Sequence, residues 1–124
     1  MLSFLKLKTL IGVAAILPGF SLLVSLPAQA ASCGAASHYG QGDGYGGRIT
    51  ANGERMNPYA MTAASPYLRL GSYVNVTHGG RTVRVRINDR GPYASGRILD
   101  LSYGAFSALA NPSRGEINVC YAAA

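Results

Sequence analysis

The chain has 124 residues, 11 Lys+Arg against 5 Asp+Glu, two cysteines and no tryptophan, and 48% of it is hydrophobic. That length holds one domain at most. The basic balance suits an anionic polymer or surface as partner, whereas the lack of base-stacking aromatics among the arginines argues against nucleic acid.

In chain order, Met1 to Ala30 has the three parts of a secretory signal: Lys6 and Lys8, the apolar run Leu10 to Leu26, and Ala28-Gln29-Ala30 as an A-x-A site. Cleavage is expected after Ala30, leaving no stable membrane insertion. The competing reading is a membrane anchor, since about 20 apolar residues cross a bilayer; Pro18 within the run and Pro27 after it weigh against that. Ala30-Ala31-Ser32 before Cys33 is a poor lipidation signal, lacking the larger aliphatic residue usual at the first position. Residues 31–124 then form the domain, with nine arginines against five acids and no lysine.

Ala35 to Tyr39 reads as a short first strand entering a glycine-rich loop, where Gly40, Gly42, Gly44, Gly46 and Gly47 exclude a helix. From Met61 onward the pattern is that of short strands. Ser72 to Thr77 and Thr82 to Ile87 alternate, with Val83, Val85 and Ile87 inward and Arg84 and Arg86 outward. Gly79-Gly80 between them predicts a hairpin, because both glycines accept positive φ. Asn88 to Pro92 reads as a turn and Arg97 to Leu101 as a strand. Ser102 caps a helix over Tyr103 to Ala110, which Asn111-Pro112 ends. Glu116 to Tyr121 is a last strand returning Cys120 beside the first strand and Cys33. A disulfide between them is the natural reading for an exported chain, with two unpaired thiols as the alternative. Six or so short strands and one or two short helices, tied first to last, describe a small β-barrel better than a sandwich.

Any acid/base mechanism must be written with Asp43, Glu54, Asp89, Asp100 and Glu116, the only acids present. Asp43 in the glycine loop and Glu116 near Arg114 suit solvated roles. Glu54 lies in a polar turn, as a surface carboxylate or a site residue. Asp89, before Arg90-Gly91-Pro92, closes an Asx-turn or faces a site. Asp100 between Leu99 and Leu101 must be paired or hydrogen-bonded if buried. No metal site is expected, since His38 and His78 have no ligand partner at i+2 or i+4; no G-x-S-x-G or phosphate-loop motif occurs, and no cofactor is implied.

Four segments in fixed order resemble the rare lipoprotein A (RlpA) family of double-psi β-barrel domains: Thr50 to Asn57, Met61 to Ala64, Val83 to Tyr93 and Gly96 to Ser102. The resemblance covers about Ala36 to Val119 and implies a mainly β, six-stranded double-psi barrel. It also implies a lytic transglycosylase that cleaves peptidoglycan glycan strands between MurNAc and GlcNAc, leaving 1,6-anhydro ends. The family's grouped glutamate, histidine and aspartate correspond to Glu54, Ser65 and Asp89, so a serine stands where the family has its histidine. Related barrels in expansins and another transglycosylase group use an aspartate that corresponds to Asp100. The expected roles are Asp89 as acid/base, Glu54 as orienting or charge-stabilising group, and Asn52, Ser65, Arg90 and Tyr93 as substrate contacts. The alternative is a catalytically weak or inactive wall-binding, expansin-like module, because of Ser65. Peptidoglycan glycan is the expected partner, the periplasm or exterior the expected location, and a monomer the expected state.

Overall fold

A computed structural model describes residues 31–124; the expected signal and its cleavage site fall outside the described residues. Among the described residues there are six strands: β1 (Ser32–Tyr39), β2 (Thr62–Ala64), β3 (Tyr73–His78), β4 (Arg81–Asp89), β5 (Arg97–Ser102) and β6 (Glu116–Ala123). One helix, α1 (Tyr103–Leu109), and a 3-10 turn at Pro112–Arg114 separate the last two. The strands close into a barrel in the order β1-β5-β2-β4-β3-β6. β1 runs parallel to β5 and β2 parallel to β4, while the remaining pairs are antiparallel. This is the six-stranded double-psi barrel, and closure leaves no free sheet edge.

Alternation builds the interior as the sequence predicts. Val74 and Val76 from β3, Val85 and Ile87 from β4, Leu99 and Leu101 from β5, and Ile117 and Val119 from β6 are all buried, and Phe106 of α1 is fully enclosed with them. Val83 is only half-buried, because β4 reaches the hairpin mouth there. At that mouth Gly79 and Gly80 have φ of 56° and 83°, the left-handed pair that a tight hairpin needs. Ser102 has extended backbone and its hydroxyl accepts from the Ala105 N–H, capping α1.

Two elements differ from the sequence reading. β4 continues through Asn88 and Asp89 rather than turning at Asn88. Its pairing with β2 steps from Ala63↔Ile87 to Ala64↔Asp89, so Asn88 is the extra residue of a bulge. β1 begins at Ser32, pairing with β6 through Cys33↔Cys120, and these two cysteines are bonded. The sequence reading began that strand at Ala35, where the small residues before it gave no alternation to follow.

Candidate active site

The register of four neighbouring strands assembles the acids. Ser37 on β1 pairs with Asp100 on β5, Asp100 with Ala64 on β2, and Ala64 with Asp89 on β4. Asp100 and Asp89 are therefore two strands apart in one row, about 10 Å between Cα atoms by ordinary strand spacing, with Ala64 at the position between them. Leu99 and Leu101 on either side of Asp100 are buried in the barrel, so Asp100 faces outward. The bulge at Asn88 brings Asp89 opposite Ala64; without the extra residue, Asn88 would hold that position.

Each acid has a different setting. Asp100 Oδ1 accepts from the Ser37 hydroxyl at 2.9 Å. Burial pushes its carboxyl above the ordinary value of 3.8, outweighing the Ser37 hydrogen bond and the charge of Arg97. Asp89 accepts three bonds: Tyr39 Oη donates to Oδ2 at 2.8 Å, and the Ala51 and Arg90 N–H groups each donate to Oδ1 at 2.9 Å. Tyr39 stands two residues beyond Ser37 on β1 and thus on the same face. Burial, followed by the hydrogen bond to Asp89 and the charges of Asp89 and Asp100, raises its phenol far above the usual tyrosine value, so it stays a donor.

Glu54 is differently occupied. Arg86 grips it through Nη1 to Oε1 at 3.1 Å and Nη2 to Oε2 at 2.9 Å, and Asn88 Nδ2 donates to Oε2 at 2.7 Å. These bonds, with Arg86 first and Asn88 second, hold its carboxyl down to about 2. The turn carrying Glu54 straddles the bulge: Ala51 N–H binds Asp89, Asn52 N–H binds the Asn88 carbonyl, and Glu54 binds the Asn88 amide. Glu54 and Asp89 are thus neighbours through Asn88, with their carboxylates held by separate sets of donors.

The expected substrate contacts divide in the same way. Asn52 spends its Oδ1 on the Thr50 hydroxyl and the Glu54 N–H within the turn. Ser65 is 1% exposed, and its hydroxyl accepts from the Tyr67 and Leu68 N–H groups. Arg90 Nη1 donates to the Ser65 and Leu68 carbonyls at 3.1 and 2.7 Å, tying the loop after β4 to the loop after β2. Tyr93 is 80% exposed. A depression of about 240 Å³ beside Asp89 is bordered by Tyr39, Tyr45, Arg48 and Arg90. The glycine loop shapes its edge: at Gly40, with φ of 103°, a Cβ would lie 2.6 Å from Met56. Larger depressions lie beside the disulfide and around His78, Arg81 and Arg114, but no acid lines them.

Sequence reasoning missed Ser37, Tyr39, Arg86 and Asn88, which set the state of the three acids. Ser37 and Tyr39 could have been found by extending the alternation of the first strand. Asn88 carries no such signal, because a bulge breaks the period. Among the described residues, no group of three or more His, Cys, Asp or Glu side chains is arranged to hold a metal ion.

Comparison with known proteins agrees with this architecture. A sequence family described as "Lytic transglycolase" matches residues 31–121. A probable endolytic peptidoglycan transglycosylase RlpA from Nostoc is 53% identical over 95 residues, which is 70% of this chain and 26% of that protein. The chain thus spans about a quarter of the length of that curated relative. Among solved structures, the Streptomyces papain inhibitor matches with a TM-score of 0.60 at 26% identity, covering 78% of this chain and 96% of that one. A variant of the Clavibacter michiganensis expansin in complex with cellohexaose matches with a TM-score of 0.62 at 26% identity, covering 77% and 50%. With its motifs, barrel topology and relatives in agreement, the chain belongs to the RlpA-like lytic transglycosylase family of double-psi β-barrel proteins.

Proposed function

We propose that this barrel cleaves peptidoglycan glycan strands as a lytic transglycosylase, between MurNAc and GlcNAc, and that Asp100 and Asp89 divide the chemistry. The observation that carries the reading is the row Asp89-Ala64-Asp100 across three neighbouring strands, with Tyr39 bonded to Asp89 and Ser37, two residues before it on β1, bonded to Asp100. Through burial, the Asp100 carboxyl holds its proton more tightly than an exposed aspartate does. It gives that proton to the glycosidic oxygen as the C1–O bond breaks, and the resulting carboxylate then takes the proton of the MurNAc C6 hydroxyl as that oxygen bonds to C1. One group thus serves both halves, and a 1,6-anhydro end results without water. Asp89, its oxygens fixed by Tyr39, Ala51 and Arg90, presents acceptors toward the positive charge that develops at C1.

This division departs from the sequence-based expectation, which gave proton transfer to Asp89 and charge stabilisation to Glu54. Glu54, locked in a bidentate pair with Arg86, is a poor proton donor and serves better as the brace of the Thr50–Glu54 turn. A second reading, glycan binding without cleavage, draws support from Ser65: the residue at the family's histidine position is buried and spent on a turn. The disulfide fits an oxidising location such as the periplasm or exterior.

Digestion of purified sacculi separates the two. Mass spectrometry is expected to find anhydro-ended glycan from the wild type, falling by about 10² to 10⁴ in rate in Asp100→Asn and Asp89→Asn. Binding to sacculi that weakens with salt, with no anhydro product, would establish the binding reading instead. Undiminished cleavage by both variants would remove the acid row from the mechanism.

A further inference from the structure

The two parallel strands β2 and β4 end in matching corners. β2 runs into Ser65-Pro66-Tyr67, and β4 into Arg90-Gly91-Pro92-Tyr93. Tyr67 is 91% exposed and Tyr93 80%, the two most exposed large hydrophobic side chains among the described residues. Both border one depression of about 290 Å³, which Ile98 and Tyr121 also line. Each tyrosine follows a proline whose φ is fixed, and the corners are bound to each other. Arg90 donates to the Ser65 and Leu68 carbonyls, and the Ser65 N–H donates to the Asp89 carbonyl at 3.1 Å.

Two aromatic faces left in water on loops whose backbones are tied together start near one another, which lowers the cost of binding a ligand that uses both. The depression is lined by chain neighbours of the acid row: Ser65 directly follows Ala64, and Ile98 precedes Asp100 by two residues on β5 and so shares its face. Its charge is balanced, since Arg97, the one ionic side chain bordering it, is 3.7 Å from Glu116. A neutral, ring-shaped ligand fits this lining better than the acidic stem peptide of the wall.

We propose that Tyr67 and Tyr93 form a saccharide subsite beyond the acid row, in which pyranose rings of the same glycan strand lie against the phenol faces. This rests on the glycan reading above and adds to it a requirement for a strand longer than the cleaved linkage.

NMR titration of the purified protein with a β-1,4-linked N-acetylglucosamine hexasaccharide tests the subsite without any turnover. Tyr67→Ala is expected to weaken binding about tenfold, and Tyr67→Phe to bind as the wild type does, because the ring face and not the hydroxyl is used. Because Tyr67 is exposed, Tyr67→Ala removes no core packing, and a thermal melt of each variant checks that it folds. Wild-type binding by Tyr67→Ala, no binding by the wild type, or tighter binding of a stem pentapeptide that Tyr67→Ala abolishes would each overturn the proposal. The two readings fail separately: a useless Tyr67 leaves anhydro products forming from sacculi, whereas an inert acid row leaves hexasaccharide binding sensitive to Tyr67.

Discussion

At single positions the site shows opposite pH behaviour in two carboxylates. Burial raises Asp100, so the folded state binds its proton more tightly than the unfolded chain does. Its contribution to stability is complete below the ordinary value of 3.8 and is lost as pH rises through the folded value. Asp100→Asn is therefore expected to melt at a higher temperature than the wild type at neutral pH and to converge with it below the ordinary carboxylate range. A variant no more stable than wild type at pH 7 would mean that burial of the carboxylate carries no cost. Glu54 behaves the other way, because Arg86 and Asn88 hold it down to about 2. Its contribution is present above 4.5 and is lost as pH falls toward about 2. A charge-assisted bidentate pair is worth about 1.5–3 kcal/mol when shielded, but the Glu54 side chain is 35% exposed and solvent screening reduces that. Glu54→Gln should lose about 1 kcal/mol in urea denaturation at pH 7, and the difference should vanish as the pH approaches 2. A loss independent of pH would point to packing rather than to charge.

At the level of elements, short strands depend on their caps and registers more than on their own propensity. Ser102 ends β5 and starts α1: its hydroxyl donates to the Ala60 carbonyl and accepts from Ala105 N–H. Ser102→Ala removes the cap and one of the two donors to the Ala60 carbonyl, which keeps the Thr62 N–H, an expected loss of about 1–2 kcal/mol by denaturant titration. A loss below about 0.5 kcal/mol would show that the helix is held by Phe106 packing alone. The strands around this junction were legible because Val, Ile and Leu alternate along them, and the Gly79-Gly80 turn because its residues permit the required φ. The motif segments also led to the acids Glu54, Asp89 and Asp100. What alternation could not reveal was the different setting of each. Asp89 reaches the row through a bulge at Asn88, and the state of each acid is set by donors distant in sequence, such as Ser37 for Asp100 across 63 residues. Ser65 illustrates the same limit: its departure from the family's residue is visible in sequence, but its burial beneath the Tyr67 turn follows only from the fold.

Across the whole molecule, the partners of the acid row and the covalent closure occupy different stretches of the same strand. Cys33 pairs with Cys120 near the start of β1, whereas Ser37 and Tyr39 lie at its other end. From Cys33 to Tyr39 an extended strand covers about 20 Å. The bond joins residues 87 apart in sequence, and in the loop-entropy description a link of that span is worth up to about 4.5 kcal/mol, acting on the unfolded chain. The native cross-strand pair at this point is already set by the β1–β6 register, so opening the bond leaves the barrel's pairing intact while freeing the unfolded state. Cys33→Ser with Cys120→Ser should therefore lower stability by about 2–4.5 kcal/mol in urea yet keep the wild-type rate on sacculi at a temperature where both proteins are folded. If the double variant remains folded by circular dichroism but loses cleavage, the closure must be transmitting strain or position along β1 to Ser37 and Tyr39, and the independence of the two ends argued from the register would fail. If stability is unchanged, the ends of the chain are held together in the unfolded state without the bond, contrary to the entropic account.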